Sequence, residues 1–150
     1  MPSVLCCGRI EPDKNQVSLF CAPKYDGIPL TITGMPDHNH PKYVDKGMSR
    51  CVCNIQCASG VAQSALVGLY NRYYVHIVPS WFEMNGLVML GAALCVCKGV
   101  STSRGYAREY FGSMAEYYQP SSFRSIWDSL FRSLSVSSDQ DIVRKFRENY

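Results

Sequence analysis

The sequence predicts a mainly α-helical protein with one transmembrane helix, an irregular Cys-containing amino-terminal extension and amphipathic carboxyl-terminal helices. Its composition is that of a folded chain, because 47% of the 150 residues are apolar and only 18% are charged. One long region, residues 61–97, contains only two fully charged side chains. Apolar residues in the second half of the chain also recur at helical spacing.

Residues 1–58 form the amino-terminal extension, which we expect to hold loops and short strands. Two brief apolar runs, residues 17–21 and 28–32, are bounded by the Pro, Gly and Asp residues that favour turns. Pro29 restricts the second run to an edge strand or extended chain, because proline donates no hydrogen bond to a sheet. Residues 35–47, with two prolines and two histidines, predict a loop.

Residues 59–100 form the apolar helical region. Apolar side chains at 62–73 follow i, i+3, i+4 spacing, which predicts a first helix. Pro79 interrupts that pattern, and Ser80 after it is a suitable N-cap for a second helix over residues 81–98. This second helix is apolar nearly all round, which is typical of a helix in lipid or in the centre of a large core.

The length of the apolar run is compatible both with a helix in lipid and with a helix buried in a protein core. The neutral segment 84–97 has 14 residues, a length that favours a buried helix. Extension back to Tyr74 gives 24 residues, which is enough to cross a bilayer at about 1.5 Å per residue. We therefore take 81–98 as the candidate transmembrane helix and a buried helix as the alternative.

Three residues of the candidate helix have features expected at a membrane, and a fourth opposes insertion. Trp81 is placed like an interfacial anchor, and Gly86 and Gly91 would let a second helix approach closely. Glu83 opposes insertion, because a carboxylate costs about 2.5–3.5 kcal/mol at the centre of a bilayer. Since Glu83 lies near the helix end, we expect it at the interface or paired with a partner's cation or backbone donor.

Residues 101–150 predict an amphipathic helical tail. A first helix is expected around Tyr106 to Tyr118, where aromatic residues alternate with Arg and Glu. A second is expected over 123–134, with Ser121 or Ser122 as its N-cap, and a last one near Ser138.

The Trp81-Phe82-Glu83 triplet that opens the apolar helix resembles the start of the MWFE-type accessory subunit of mitochondrial NADH:ubiquinone oxidoreductase, complex I. Members of that family enter the inner membrane directly after the triplet and carry a Trp-Ser-Leu-like stretch followed by Arg in a polar tail. Here Trp127, Ser129, Leu130 and Arg132 lie at a comparable distance downstream. The resemblance covers residues 81–150 and leaves the first eighty without a counterpart.

This resemblance implies a non-catalytic accessory subunit that stabilises or assembles a respiratory complex of the electron-transport chain in the mitochondrial inner membrane. Its partners would be other subunits of the complex and the lipid bilayer, with no cofactor and no nucleic acid. The residues expected to contact a partner or the membrane are Trp81, Phe82, Glu83, Gly86, Gly91 and Trp127.

The eight cysteines offer one candidate metal site. Cys51, Cys53 and Cys57 follow His38 and His40, and zinc takes four Cys or His ligands in a tetrahedral arrangement. The spacing C-x-C does not make the usual zinc knuckle, so free buried thiols are the main expectation and disulfides a second one.

Nothing in the sequence predicts catalysis or nucleic-acid binding. It has no G-x-G-x-x-G, P-loop or H-E-x-x-H motif, and its net charge is only +3. The alternative to the membrane subunit is a soluble, cytoplasmic, Cys-rich α+β module, for example a viral one, that binds zinc or another protein.

Overall fold

The computed structural model describes residues 3–20, 27–49, 55–58, 60–95 and 97–136. Within these ranges the chain alternates strands and helices and forms one parallel sheet of six strands. The strands are β1 Val4–Cys7, β2 Leu30–Thr33, β3 Ile55–Ala58, β4 Val75–Val78, β5 Lys98–Thr102 and β6 Ala115–Tyr118. The helices are α1 Val17–Phe20, α2 Pro41–Met48, α3 Leu66–Tyr70, α4 Leu87–Leu94, α5 Ala107–Phe111 and α6 Phe123–Ser135.

The spatial order of the strands, β3-β2-β1-β4-β5-β6, is that of a doubly wound sheet. The order reverses between β1 and β4, where one half of the sheet ends and the other begins. Leu19 of α1 and Leu130 of α6 pack on one face of the sheet. Tyr70 of α3, Ala92 of α4 and Phe111 of α5 belong to the clusters on the other face.

Coverage on both faces explains why the central strands are almost entirely apolar, with His76 as the polar exception in β4. All four residues of β4 are buried, as are the first three of β1. A parallel strand that is buried on both faces carries a continuous apolar run instead of an alternating one.

The prediction of a mainly α-helical fold with a transmembrane helix is wrong. The apolar stretch does not form a helix over 81–98, because its residues fold as β4, a loop, the eight-residue α4 and then β5. Pro79 lies in the loop, and Gly86 begins α4 with φ +54°. No helix in the described part of the chain has both the length and the apolar character needed to cross a bilayer.

The amino-terminal region also differs from expectation. Residues 17–20 form a helix instead of a strand, and α2 occupies much of the expected loop at 35–47. The strand expected at 28–32 is present as β2 but lies between β1 and β3, away from the edge. Pro29 is compatible with this place because it precedes the strand and only accepts a hydrogen bond, from the Val4 amide at 2.9 Å.

The tail is partly as expected. The helix over 123–134 is confirmed as α6, and the Ser122 side chain caps it by accepting from the Ser125 amide at 3.1 Å. The helix expected around Tyr106 to Tyr118 is only the short α5, and the chain then forms β6. The last expected helix, near Ser138, lies outside the described residues. The division into residues 1–58, 59–100 and 101–150 stays a prediction, although the sheet takes strands from each of them.

Candidate functional site

The strands β1 and β4 separate at their carboxyl ends and leave a crevice. Their pairing is limited to Val4 with Val75 and Leu5 with His76. Beyond Leu5, β1 continues alongside β2, where the Gly8 amide donates to the Thr33 carbonyl at 3.0 Å. In doubly wound sheets, ligands bind in such a crevice, at the point where the strand order reverses.

The β1–α1 loop, residues 8–16, forms one wall of the crevice and is held rigidly. The Asn15 amide side chain donates to the Pro79 carbonyl at 3.1 Å, and the Trp81 amide donates to the Asp13 carbonyl at 3.1 Å. Both hydrogen bonds join this loop to the β4–α4 loop. Position 34, just after β2, requires a glycine beside this loop, because a Cβ there would lie 1.8 Å from the Gly8 carbonyl oxygen.

A cation and a carboxylate meet across the crevice. The Lys14 Nζ lies 3.3 Å from a Glu83 carboxylate oxygen, and the two side chains are 32% and 12% exposed. Arg9, on the same loop as Lys14, contacts Glu11 at 3.3 Å and is 66% exposed. The β1–α1 loop therefore carries two cations, and one of them, Lys14, is paired with the largely buried Glu83.

The α4 helix begins four residues after Glu83. Its N-cap, Gly86, adopts left-handed backbone angles and supplies no side-chain acceptor to the first turn. The first backbone N–H groups of a helix have no partner within it and carry a partial positive charge, so this end favours anions.

The β4–α4 and β5–α5 loops are joined along their backbones. The Glu83 amide donates to the Arg104 carbonyl at 3.2 Å, and the Tyr106 amide donates to the Glu83 carbonyl at 3.0 Å. Gly105 between them has φ +104°, and a Cβ there would lie 2.0 Å from the Glu83 carbonyl oxygen. These contacts fix the backbone that carries Glu83.

Buried groups below the crevice are held neutral. Burial raises the pKa of the thiols of Cys6, Cys7 and Cys97, so none of them is activated as a thiolate nucleophile. Burial lowers the pKa of His76 to about 4. The Tyr118 hydroxyl donates to the Val78 carbonyl, and burial raises its pKa well above the usual value.

The structure places the six expected contact residues in different surroundings. Trp81 and Phe82 are exposed beside the crevice, and Glu83 lies in it. Gly86 caps α4, and Gly91 lies within α4 against the Tyr70 ring. Trp127 lies on the buried face of α6, in the core. Contact of these residues with a partner stays a prediction.

The candidate zinc ligands are only partly described. Cys51 and Cys53 lie outside the described residues. Cys57 is half-buried in β3, and His38 and His40 lie in the loop after β2, where His40 Nδ1 is 2.5 Å from the Asp37 carboxylate. Across the described ranges, no group of three or more His, Cys, Asp or Glu side chains is arranged to hold a metal ion.

Sequence reasoning singled out Glu83 but missed Lys14 and Arg9. Their signal is a short apolar strand, residues 4–7, followed at once by Gly8-Arg9 and a turn with Pro12 and Asn15. A strand, a glycine turn and a helix in succession form the first unit of a doubly wound fold. Because the glycine pattern differs from G-x-G-x-x-G, a search for that motif passes over it.

Comparison with known proteins gives matches among solved structures alone, since no protein-family model and no curated protein matches. The N-terminal domain of trehalose-6-phosphate phosphatase from Candida albicans matches 98% of this chain and 37% of its own, with TM-score 0.80 and 11% identity. HepE from Anabaena, solved in complex with UDP and glucose, matches 95% of this chain and 40% of its own, with TM-score 0.74 and 17% identity.

The C-terminal domain of the group 1 glycosyl transferase LpcC from Francisella tularensis matches 97% of this chain and 82% of its own, with TM-score 0.71 and 19% identity. At these identities the matches establish a shared fold. The chain spans about two-fifths of the length of the first two structures.

These findings correct the resemblance to the complex I subunit and the helical membrane fold that it implied, whereas the expected partners and contact residues stay predictions. Trp81-Phe82-Glu83 opens no membrane helix but lies in the loop between β4 and α4. The assignment to a respiratory accessory subunit is therefore wrong, and the transmembrane helix on which the inner-membrane localisation rested is not found among the described residues. The prediction of a non-enzyme is corrected too, because it rested on a helical subunit fold that the described residues do not form. The α+β alternative is closer to the structure than the membrane subunit, but its fold class is also wrong, because strands and helices alternate around a parallel sheet.

Proposed function

We propose that this chain binds the diphosphate of a nucleotide sugar in the crevice between β1 and β4, as the donor-binding part of a glycosyltransferase. The observation that carries the proposal is the Lys14–Glu83 pair at the point where the strand order reverses. The pair combines a cation for the phosphates with an acceptor for sugar hydroxyls, and it lies next to an uncapped helix N-terminus.

The positive groups of the crevice suit a diphosphate in number and chemistry. Lys14 supplies a mobile point charge and Arg9 a planar guanidinium that can donate two parallel hydrogen bonds to a phosphate. The first turn of α4 supplies backbone N–H donors and the positive end of the helix dipole. A single phosphate would engage only part of this set.

The Lys14–Glu83 pair keeps its two charges compensated in the unliganded chain. Glu83 is largely buried, and an unpaired charge there would be costly. When a diphosphate takes the Lys14 ammonium as a donor, Glu83 can accept hydrogen bonds from hydroxyls of the attached sugar. The same two residues would then recognise both ends of the donor.

This arrangement supports transfer of the sugar because it would stabilise the diphosphate as the leaving group. In the reaction the bond between the anomeric carbon and the terminal phosphate oxygen breaks, and its electron pair stays on the diphosphate. An acceptor hydroxyl forms the new bond and loses its proton. Lys14, Arg9 and α4 would stabilise the negative charge that develops on the diphosphate, which is how fixed positive groups accelerate a reaction.

Two comparisons support this reading. HepE is described in complex with UDP and glucose, and the LpcC fragment is described as a C-terminal domain of a glycosyl transferase. The second match covers most of that domain, so the chain has the size of one domain of such an enzyme.

Calorimetric titration of the chain with UDP, ADP and GDP tests the proposal. We expect saturable binding of at least one of them, with the matching nucleoside monophosphate binding at least about tenfold more weakly. Lys14→Met should weaken binding by about 10- to 100-fold, the worth of a hydrogen bond to a charged group. Lys42→Met, at an exposed position on α2, is the matched control and should change nothing. The proposal fails if none of the three diphosphates binds, or if the two variants bind equally well.

A further inference from the structure

The carboxyl end of β1 has an unusual partner. Backbone pairing with β4 stops at Leu5, yet the Cys7 amide donates to His76 Nε2 on β4 at 3.4 Å. In a parallel sheet that amide would bond to a carbonyl of the neighbouring strand. Here an imidazole side chain, instead of a backbone carbonyl of β4, accepts the next hydrogen bond from β1, and the two strands separate beyond it.

The surroundings of His76 determine which nitrogen of its ring carries the proton. The residue is fully buried, and its ring meets the Tyr70 ring edge-on with centroids 5.5 Å apart. Tyr70 and Cys7 also pack together in the same apolar cluster. Because Nε2 accepts from the amide, the single proton of the neutral imidazole lies on Nδ1. Within the described residues, nothing accepts a hydrogen bond from Nδ1.

An imidazole with one unpaired nitrogen costs stability in a site where an apolar side chain would cost none. The ring is fully buried, and among the described residues no group of three or more His, Cys, Asp or Glu side chains is placed to hold a metal ion with it. Its observed contact is with the amide of Cys7, which immediately precedes Gly8 and Arg9. The contact therefore acts on the turn that carries the two cations of the proposed diphosphate site.

We propose that His76 is a positioning residue for that site, and the proposal rests on the proposed function. Its Nε2 lone pair holds the Cys7 amide, keeps β1 and β4 apart at the reversal point, and sets the direction in which the chain enters the Gly8-Arg9 turn. Arg9 and Lys14 depend on that direction for their place in the crevice. An apolar residue at position 76 would leave the amide without an acceptor and let the turn shift.

Two substitutions separate the acceptor from the volume of the ring. His76→Leu fills most of the space without an acceptor, whereas His76→Gln offers an amide oxygen at a similar distance along the side chain. We expect His76→Leu to weaken binding of UDP, or of whichever nucleoside diphosphate the wild type prefers, by at least about tenfold. His76→Gln should bind within about threefold of wild type. Circular dichroism and thermal melting establish that each variant is folded.

Nitrogen NMR of histidine in the wild-type chain gives a readout that needs neither ligand nor variant. In the wild-type chain we expect Nε2 to be unprotonated and to accept a hydrogen bond from the Cys7 amide. In His76→Leu we expect the chemical shift of the Cys7 amide to change, because that hydrogen bond is lost. The proposal is overturned by a protonated Nε2, by wild-type affinity in a folded His76→Leu, or by equal weakening in both variants. If the wild type binds no diphosphate at all, the proposed function fails instead, while the tautomer still reports on the hydrogen bond.

Discussion

Lowering the pH from 7 to 4.5 should destabilise the wild-type chain more than a His76→Gln variant. Burial lowers the pKa of His76 from 6.5 to about 4. Between these values the unfolded chain takes up a proton and the folded chain does not, so stability is fully present above pH 6.5 and falls as the pH drops toward 4. The two pKa values correspond to a loss of about 2–3 kcal/mol at pH 4.5.

Urea unfolding followed by tryptophan fluorescence measures this difference directly. Both proteins carry the same carboxylates, so acid effects on Asp37 and the other acids cancel when the two pH dependences are subtracted. Cys7 and Tyr70, which face the imidazole, have raised pKa values and do not titrate in this window. Parallel pH dependences in the two proteins would refute the buried neutral imidazole.

Three further substitutions test the packing around the site. Gly105→Ala places a Cβ 2.0 Å from the Glu83 carbonyl oxygen, at a residue with positive φ. It should therefore lower the free energy of unfolding in urea by more than about 1 kcal/mol and weaken UDP binding. The control Gly68→Ala, which has open space around its Cβ, should do neither. Ser122→Ala removes the N-cap of α6 and should lower the free energy of unfolding by about 1 kcal/mol without changing UDP affinity. Leu130→Ala, in the core beneath α6, should cost about 2–5 kcal/mol, and a loss below 1 kcal/mol would contradict its placement.

The sequence predicted α6 well because every local signal agrees there. Ser122 is a capping residue, and Ile126, Trp127 and Leu130 share one face with the spacing of a helix. The helix needs no distant partner to be recognised, although Trp127 proved to be a core residue.

The apolar stretch could not be assigned correctly from its own pattern. A strand buried on both faces and a buried helix both produce a continuous run of apolar residues, so periodicity does not separate β4 and β5 from a long helix. The two punctuating residues, Pro79 and Gly86, mark the true breaks, but each is also tolerated at a helix end.

The candidate site was only half visible in the sequence. Glu83 stood out as the single acid in an apolar region, whereas its partner Lys14 comes from a loop 69 positions earlier. Only the order of the strands brings the two residues together. The role of His76 depends on the same pairing of β1 with β4 and has no sequence motif of its own.

Titration of isotopically labelled chain with UDP, followed by amide NMR shifts, tests most directly whether the crevice between β1 and β4 binds a nucleoside diphosphate. We expect the largest shifts at Gly8, Arg9, Lys14 and the first turn of α4, with none at the opposite end of the sheet around Lys98 and Ser133. Shifts centred on that opposite end, or no shifts with UDP, ADP or GDP at millimolar concentration, would contradict a diphosphate site in this crevice.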